Sequence, residues 1–144
     1  MEIKVKKLNE NAIIPAYQTS GSAGADLCAL LSEPIQILPG QTAFIPTGLS
    51  FAIPEGYGGF VFARSGLASK KGLAPANKVG VIDADYRGEL MVALLNHGTE
   101  PQTVFPNDRI AQFVILPVVV ADFVLSDNLD ETTRGQGGFG STGV

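Results

Sequence analysis

Four places along the chain carry side chains able to bind or attack a phosphate ester. Arg64 and Ser65 open the segment 64–72, which holds Gly66, then Lys70 and Lys71, and closes on Gly72. That spacing predicts a short helix with Ser65 as N-cap, two lysines in its last turn and Gly72 as a left-handed stop. Free backbone N–H groups beside an arginine and a hydroxyl would attract an anion; a plain capped turn between strands is the alternative. The stretch Asp83-Ala84-Asp85-Tyr86-Arg87-Gly88 lies between apolar runs at 79–82 and 89–95, so it reads as the end of a hairpin. Its carboxylates are either ordinary turn residues or the source of one general base, with the Tyr86 ring as platform or gate. Asp26, within Gly24-Ala25-Asp26-Leu27, is either a turn carboxylate or a group that orients a water on a hydrated metal ion.

The fourth place is the C-terminal stretch 134–144. Five of its last ten residues are glycine, a composition that cannot bury a core. Yet Arg134, Ser141 and Thr142 could hold a phosphate, and Phe139 could stack on a flat ring. The alternatives are a frayed terminus and a lid that closes on a nucleotide. Gly135, Gly137 and Gly140 also spell G-x-G-x-x-G, but an acidic polar stretch precedes them rather than the strand a dinucleotide fingerprint requires. No lysine follows Gly140, so a Walker loop is excluded too.

The elements that must position these residues are strands. Short apolar or alternating runs at 3–7, 35–38, 42–45, 49–53, 59–63, 90–95 and 110–116 are cut by Gly and Pro at 39–40, 54–56 and 106–107. No segment has a long 3.6-residue period, so helices are scarce and the fold is all-β, a sandwich, jelly roll or barrel. The run 113–120 lacks alternation and is expected to be covered on both faces, in part by another subunit. A single domain over 1–125 and a flexible arm over 126–144 follow. The 19 residues of that arm could extend about 60 Å at roughly 3.3 Å each, far enough to reach a neighbour.

Composition narrows the function classes. With 45% hydrophobic and 17% charged residues, the chain is greasy for a small monomer, which points to apolar surface between subunits. A net charge of −4 argues against a nucleic-acid polymer as partner, though a small polyanion remains possible because local charges decide its binding. The longest apolar stretch, 113–121, is too short to span a bilayer and contains Pro117, and no signal peptide opens the chain. A cytoplasmic location is expected, in keeping with the single Cys28. Cys28 and the one histidine, His97, lie far apart in sequence, so neither a Cys/His metal cluster nor a His-activated nucleophile is expected; His97 reads as a loop residue.

Taken together, the chain resembles the trimeric dUTPase family, carrying its five motifs in order. They are Ala23 to Leu27; Arg64-Ser65-Gly66-Leu67 with Lys71-Gly72; Gly80 to Gly88; Arg109-Ile110-Ala111-Gln112; and Arg134-Gly135 through Gly140-Ser141-Thr142-Gly143. Ala25 stands where many members carry a larger residue. The resemblance implies a jelly-roll homotrimer with three active sites at subunit interfaces. It also implies Mg²⁺-dependent hydrolysis of dUTP to dUMP and pyrophosphate, limiting uracil in DNA and supplying dUMP for dTMP synthesis. It implies Asp83 as activator of the water that attacks the α-phosphorus, and Tyr86 as the ring under the sugar that excludes a 2′-hydroxyl. Asn77 with the backbone of Gly80, Val81 and Ile82 would read uracil. Arg64, Ser65 and Gly66, with Gln112 of another subunit, would hold the phosphates, and Asp26 would orient a water on Mg²⁺. Arg134, Ser141 and Thr142 would close on the γ-phosphate while Phe139 stacks on the base, and Gly140 would also bind substrate. The related dCTP deaminases place a catalytic Glu where this chain has Ala93, and a non-catalytic nucleotide sensor is the third reading.

Overall fold

The computed structural model describes residues 1–138; the expected contacts of Phe139, Gly140, Ser141 and Thr142 lie outside the described residues. Among the described residues, eleven short strands and one helix make up the regular structure. In chain order they are β1 (Lys4–Lys7), β2 (Ala25–Cys28), β3 (Ile35–Ile37), β4 (Thr42–Pro46), β5 (Leu49–Ala52) and β6 (Tyr57–Phe62). After these come α1 (Ser65–Lys71), β7 (Leu73–Pro75), β8 (Gly80–Ile82), β9 (Met91–Asn96), β10 (Gln102–Val104) and β11 (Arg109–Pro117). The strands form an all-β, jelly-roll-like body in which every pairing is antiparallel. The largest sheet has the order β2-β11-β6-β8, a second runs β4-β9-β7, and the pairs β1-β5 and β10-β3 complete the wall.

Alternation decides which face turns inward. Along β9, Val92, Leu94 and Asn96 are buried while Met91, Ala93 and Leu95 face the other way. The inward set joins Leu27, Ile45, Leu49, Ile110 and Ala111 in one continuous core. Phe51 of β5 and Phe113 of β11 meet with ring centroids 4.9 Å apart at a tilted 51°, a favourable aromatic geometry that ties two sheets together. Leu94 is fully buried, so truncating it to Ala would cost about 2–5 kcal/mol. Among the described residues no helix is long and apolar enough to cross a membrane.

Three sequence expectations change. Residues 79–82 and 89–95 are not two arms of one hairpin. Gly80, Val81 and Ile82 pair with Val61, Phe60 and Gly59 of β6, whereas β9 pairs with β4 and β7. The stretch between them is therefore a crossing from one sheet to another, and its sequence neighbours are not its pairing partners. Ser65 is the first helical residue rather than the N-cap. Arg64 holds the cap position with extended backbone and makes no side-chain cap bond. Asp26 sits on a strand, not in a turn, because β2 is held by pairing with β11. Gly72 does stop the helix, at φ 66°, with its N–H on Ala68 and Leu67 carbonyls.

The run 113–120 is buried within this single chain only at Phe113; Val119 and Val120 are 94% and 91% exposed. No helix or strand follows Pro117 among the described residues, and Phe123, Val124 and Leu125 are bare as well.

Candidate functional site

The third-motif residues line one cleft of about 400 Å³, a size suited to a small molecule. One wall is β8, the free edge of the four-stranded sheet, where Gly80, Val81 and Ile82 are bonded to β6 on one side only. Their remaining backbone donors and acceptors face open space, so this edge can bind a flat polar heterocycle as a neighbouring strand would. Asn77 stands at the end of this wall, held by a tight turn in which Lys78 N–H bonds to the Pro75 carbonyl at 3.0 Å. The opposite wall is the outward face of β9, with Met91 and Ala93, joined by Phe44 of β4, which pairs with Ala93.

The crossing segment brings Asp83 and Tyr86 to this cleft. A turn closes the loop, Tyr86 N–H to the Asp83 carbonyl at 3.2 Å, and the Arg87 guanidinium donates to the carbonyls of Ala84 and Tyr86 at 2.6 and 2.9 Å. Arg87 is thus engaged with backbone, and among the described residues Asp83 forms no ion pair. Its exposed carboxylate is left free to accept a proton from a water. The Tyr86 ring folds back over its own loop, its hydroxyl donating to the Glu89 carbonyl at 2.9 Å.

Arg64, Gly66, Lys70, Lys71 and Arg109 line a different cleft of about 360 Å³. Its charges are organised by Asp26, 4% exposed in the interior of β2. One carboxylate oxygen accepts from Arg64 Nε at 2.9 Å and the other from Arg109 Nη1 at 3.1 Å. Strand pairing makes this possible. Arg109 is opposite Cys28, and a bulge between Arg109 and Ala111 re-aims the strand so that Gln112 falls opposite Asp26. Arg64 lies just past β6, whose Phe62 is the other neighbour of Gln112. Two arginines are thereby oriented by one buried carboxylate, with 25% and 47% of their side-chain surfaces open to solvent for an anion. The same packing acts on Cys28: burial first, then the Asp26 charge, pushes its thiol up from the ordinary range.

Sequence reasoning assigned no role to Arg109, since its partner lies 83 residues away. It also passed over Glu89 and Phe44, whose positions depend on β4 and β9 meeting. Ser65 is exposed at the helix start, and its carbonyl accepts from the Ser69 hydroxyl at 2.6 Å. Arg134 bends into a local turn, Nε to the Gly137 carbonyl at 2.9 Å. Asp83 and Arg64 therefore line separate clefts of one chain rather than a common pocket.

Among the described residues, no three His, Cys, Asp or Glu side chains gather to hold a metal ion. A magnesium ion suits such a place differently, since it keeps several waters and binds through substrate phosphates. Each Asp26 oxygen accepts one guanidinium bond and retains lone-pair capacity for a water, so the residues fit an outer-sphere partner of that ion.

An antiparallel jelly roll with an edge-strand cleft and a carboxylate-ordered arginine pair defines a protein built to hold a small anionic ligand with a flat polar ring. The chain belongs to the dUTPase family, whose model matches residues 10–143. The deoxyuridine 5′-triphosphate nucleotidohydrolase of Desulfitobacterium hafniense is 61% identical over 132 residues, covering 91% of this chain and 87% of that protein. That of Maricaulis maris is 50% identical, with 99% and 96% covered. The structure is similar to the Staphylococcus bacteriophage 80alpha dUTPase with dUPNHPP, at a TM-score of 0.86, 29% identity and 99% of both chains. It is also similar to a mutant dUTPase from phage phi11 of S. aureus that coordinates a structural Mg(II) ion, at a TM-score of 0.78 and 27% identity over 89% and 98%.

Proposed function

We propose that this protein hydrolyses dUTP to dUMP and pyrophosphate, with Asp83 as the base that activates water for attack on the α-phosphorus. The observation that carries the reading is a solvent-open carboxylate without an ion-pair partner among the described residues, in the same cleft as an unpaired strand edge and an aromatic ring. Asn77 and the backbone of Gly80, Val81 and Ile82 accept and donate to the uracil edge. The Tyr86 ring lies under the deoxyribose and leaves no room for a 2′-hydroxyl. Phosphoryl transfer needs positioning and charge neutralisation more than covalent chemistry. Arg64 supplies charge, the Gly66 backbone and Ser65 hydroxyl supply donors, and Gln112, which lies opposite Asp26 in the same chain as Arg64 rather than coming from another subunit, completes the grip. When bound, Mg²⁺ neutralises phosphate charge, and Asp26 would hold one of its waters.

The separation of the Asp83 and Arg64 clefts supports a site assembled between subunits of a homotrimer. The bare apolar stretch 119–125 supports an arm, 126–144, that crosses to a neighbour and delivers Arg134, Phe139, Gly140, Ser141 and Thr142 to the nucleotide. Cytoplasmic action fits a nucleotide substrate. Deamination is disfavoured because Ala93 lines the cleft where a catalytic Glu would be needed. Pyrophosphate and ammonia release from dUTP and from dCTP separate the readings: only pyrophosphate from dUTP is expected. Ammonia from dCTP, or no turnover of either, would overturn it.

A further inference from the structure

The loop that carries Asp83 and Tyr86 is exposed, yet its return limb is stitched to the turn between β4 and β5 and to the start of β5. Ser50 Oγ donates to the Arg87 carbonyl at 2.7 Å, Gly48 N–H to Glu89 Oε1 at 2.7 Å, and Thr47 Oγ1 to the Leu90 carbonyl at 2.6 Å. Leu90 N–H adds a bond to the Leu49 carbonyl at 2.8 Å. Thr47 and Ser50 are 1% and 6% exposed, and polar side chains buried to that extent are retained only where their bonds are made. Arg87 and Leu90 are therefore fixed at their carbonyls by the Ser50 and Thr47 side chains, and Glu89 through its own carboxylate, all against a segment far away in sequence. Glu89 matters doubly. Its carboxylate grips Gly48, and its carbonyl receives the Tyr86 hydroxyl. Gly88 sits directly beneath the ring, and a Cβ there would overlap the Tyr86 hydroxyl and ring carbons.

We infer that Glu89, with Ser50 and Gly88, is a positioning element for the Tyr86 ring, so that selection against a 2′-hydroxyl is set outside the residues that touch the sugar. The inference rests on the reading of Tyr86 as the sugar barrier. A ring tied at its hydroxyl and supported by a side-chain-free residue is held against a rigid wall. The same ring untied could swing and admit the larger sugar. Glu89 lines the same cleft as Tyr86, so its effect is told apart from that of the base by the dUTP/UTP ratio, which loss of the base alone would leave in place.

The test measures kcat/KM for dUTP and for UTP on the full-length protein with Mg²⁺, together with melting temperature. Glu89→Ala is expected to lower the dUTP/UTP ratio about tenfold, the scale of one lost hydrogen bond to a charged group. Glu89→Gln keeps an acceptor for Gly48 N–H and should restore most of the ratio. Gly88→Ala should lower it as well while leaving the Glu89–Gly48 bond intact, and it decides the matter alone if Glu89→Ala does not fold. Tyr86→Ala is the control for the underlying reading. If its ratio equals wild type, the sugar-barrier reading fails and the inference with it. If Tyr86→Ala relaxes the ratio but Gly88→Ala and a folded Glu89→Ala leave it unchanged, the barrier stands and the positioning role is overturned. A loss of melting temperature with both substrates slowed equally is likewise a purely structural role and overturns it.

Discussion

Two carboxylates on this fold have opposite surroundings. Asp26 is buried on β2, the end strand of the four-stranded sheet, and is bonded by two arginines. Asp83 is exposed on a crossing segment and forms no ion pair among the described residues. A carboxylate with both oxygens engaged by guanidinium groups is a firm organiser of cations. One left free in a cleft can take a proton. The same side chain is thus given two roles by what packs around it. The cleft beside Asp26 is held by strand register, while Asp83 stands on a loop that runs from β8 and is stitched to the body along its return limb.

Removing the arm should give the largest effect, because the proposed function has it contribute residues to the whole nucleotide. Truncation after Thr133 is expected to lower dUTP kcat/KM by about 1000-fold or more, as positioning is lost, with little change in melting temperature. Full activity in the truncated protein would reduce the arm to a frayed end. Asp83→Asn should lower kcat about 100-fold or more while leaving the fold and much of dUTP binding in place. Steady-state kinetics beside calorimetry check this, and a near-normal kcat would reject Asp83 as base.

Asp26→Asn should invert that pattern. Losing the charge that orders Arg64 and Arg109 is expected to cost about 1–2 kcal/mol of stability, at the low end because both arginines are partly solvated. KM should rise more than kcat falls. If Asp26→Asn instead matches Asp83→Asn in kcat with no loss of stability, the contrast between the two carboxylates fails. The smallest effect belongs to Cys28. Its thiol should alkylate more slowly than an exposed thiol at neutral pH, and faster in Asp26→Asn, since the raising charge is gone while burial remains. Equal rates in the two proteins would show that burial acts alone.

The outline of this arrangement was legible in the sequence, and the reasons it was not wholly so are physical. Strands with β-branched runs, such as residues 110–116, announced themselves. β2 did not, because Ala25-Asp26-Leu27-Cys28 has no intrinsic β character and becomes a strand through pairing with β11 and burial of Leu27. Local turn chemistry at residues 83–88 suggested a hairpin, since sequence shows adjacency but not which sheet each flank joins. Ser65 has the right chemistry for an N-cap, yet the chain turns helical one residue earlier. The residues Asp26, Arg64, Asn77, Asp83 and Tyr86 could be named from motifs. That Asn77, Asp83 and Tyr86 line one cleft and Arg64 another, with Asp26 buried behind the second, could not, because that division arises from strand order.

That division makes the central claim directly measurable. If catalysis needs Asp83 of one subunit beside Arg64 of another, two dead variants should repair each other. Asp83→Asn and Arg64→Ala, each purified alone, are expected to hydrolyse dUTP at a small fraction of the wild-type rate. Co-expressed in equal amounts and isolated as mixed assemblies, they should recover about a quarter of wild-type activity, the share of sites in a randomly assembled symmetric oligomer that receive both intact residues. Mixed assemblies no more active than the two parents together, with mixing verified by mass, would contradict a site shared between subunits.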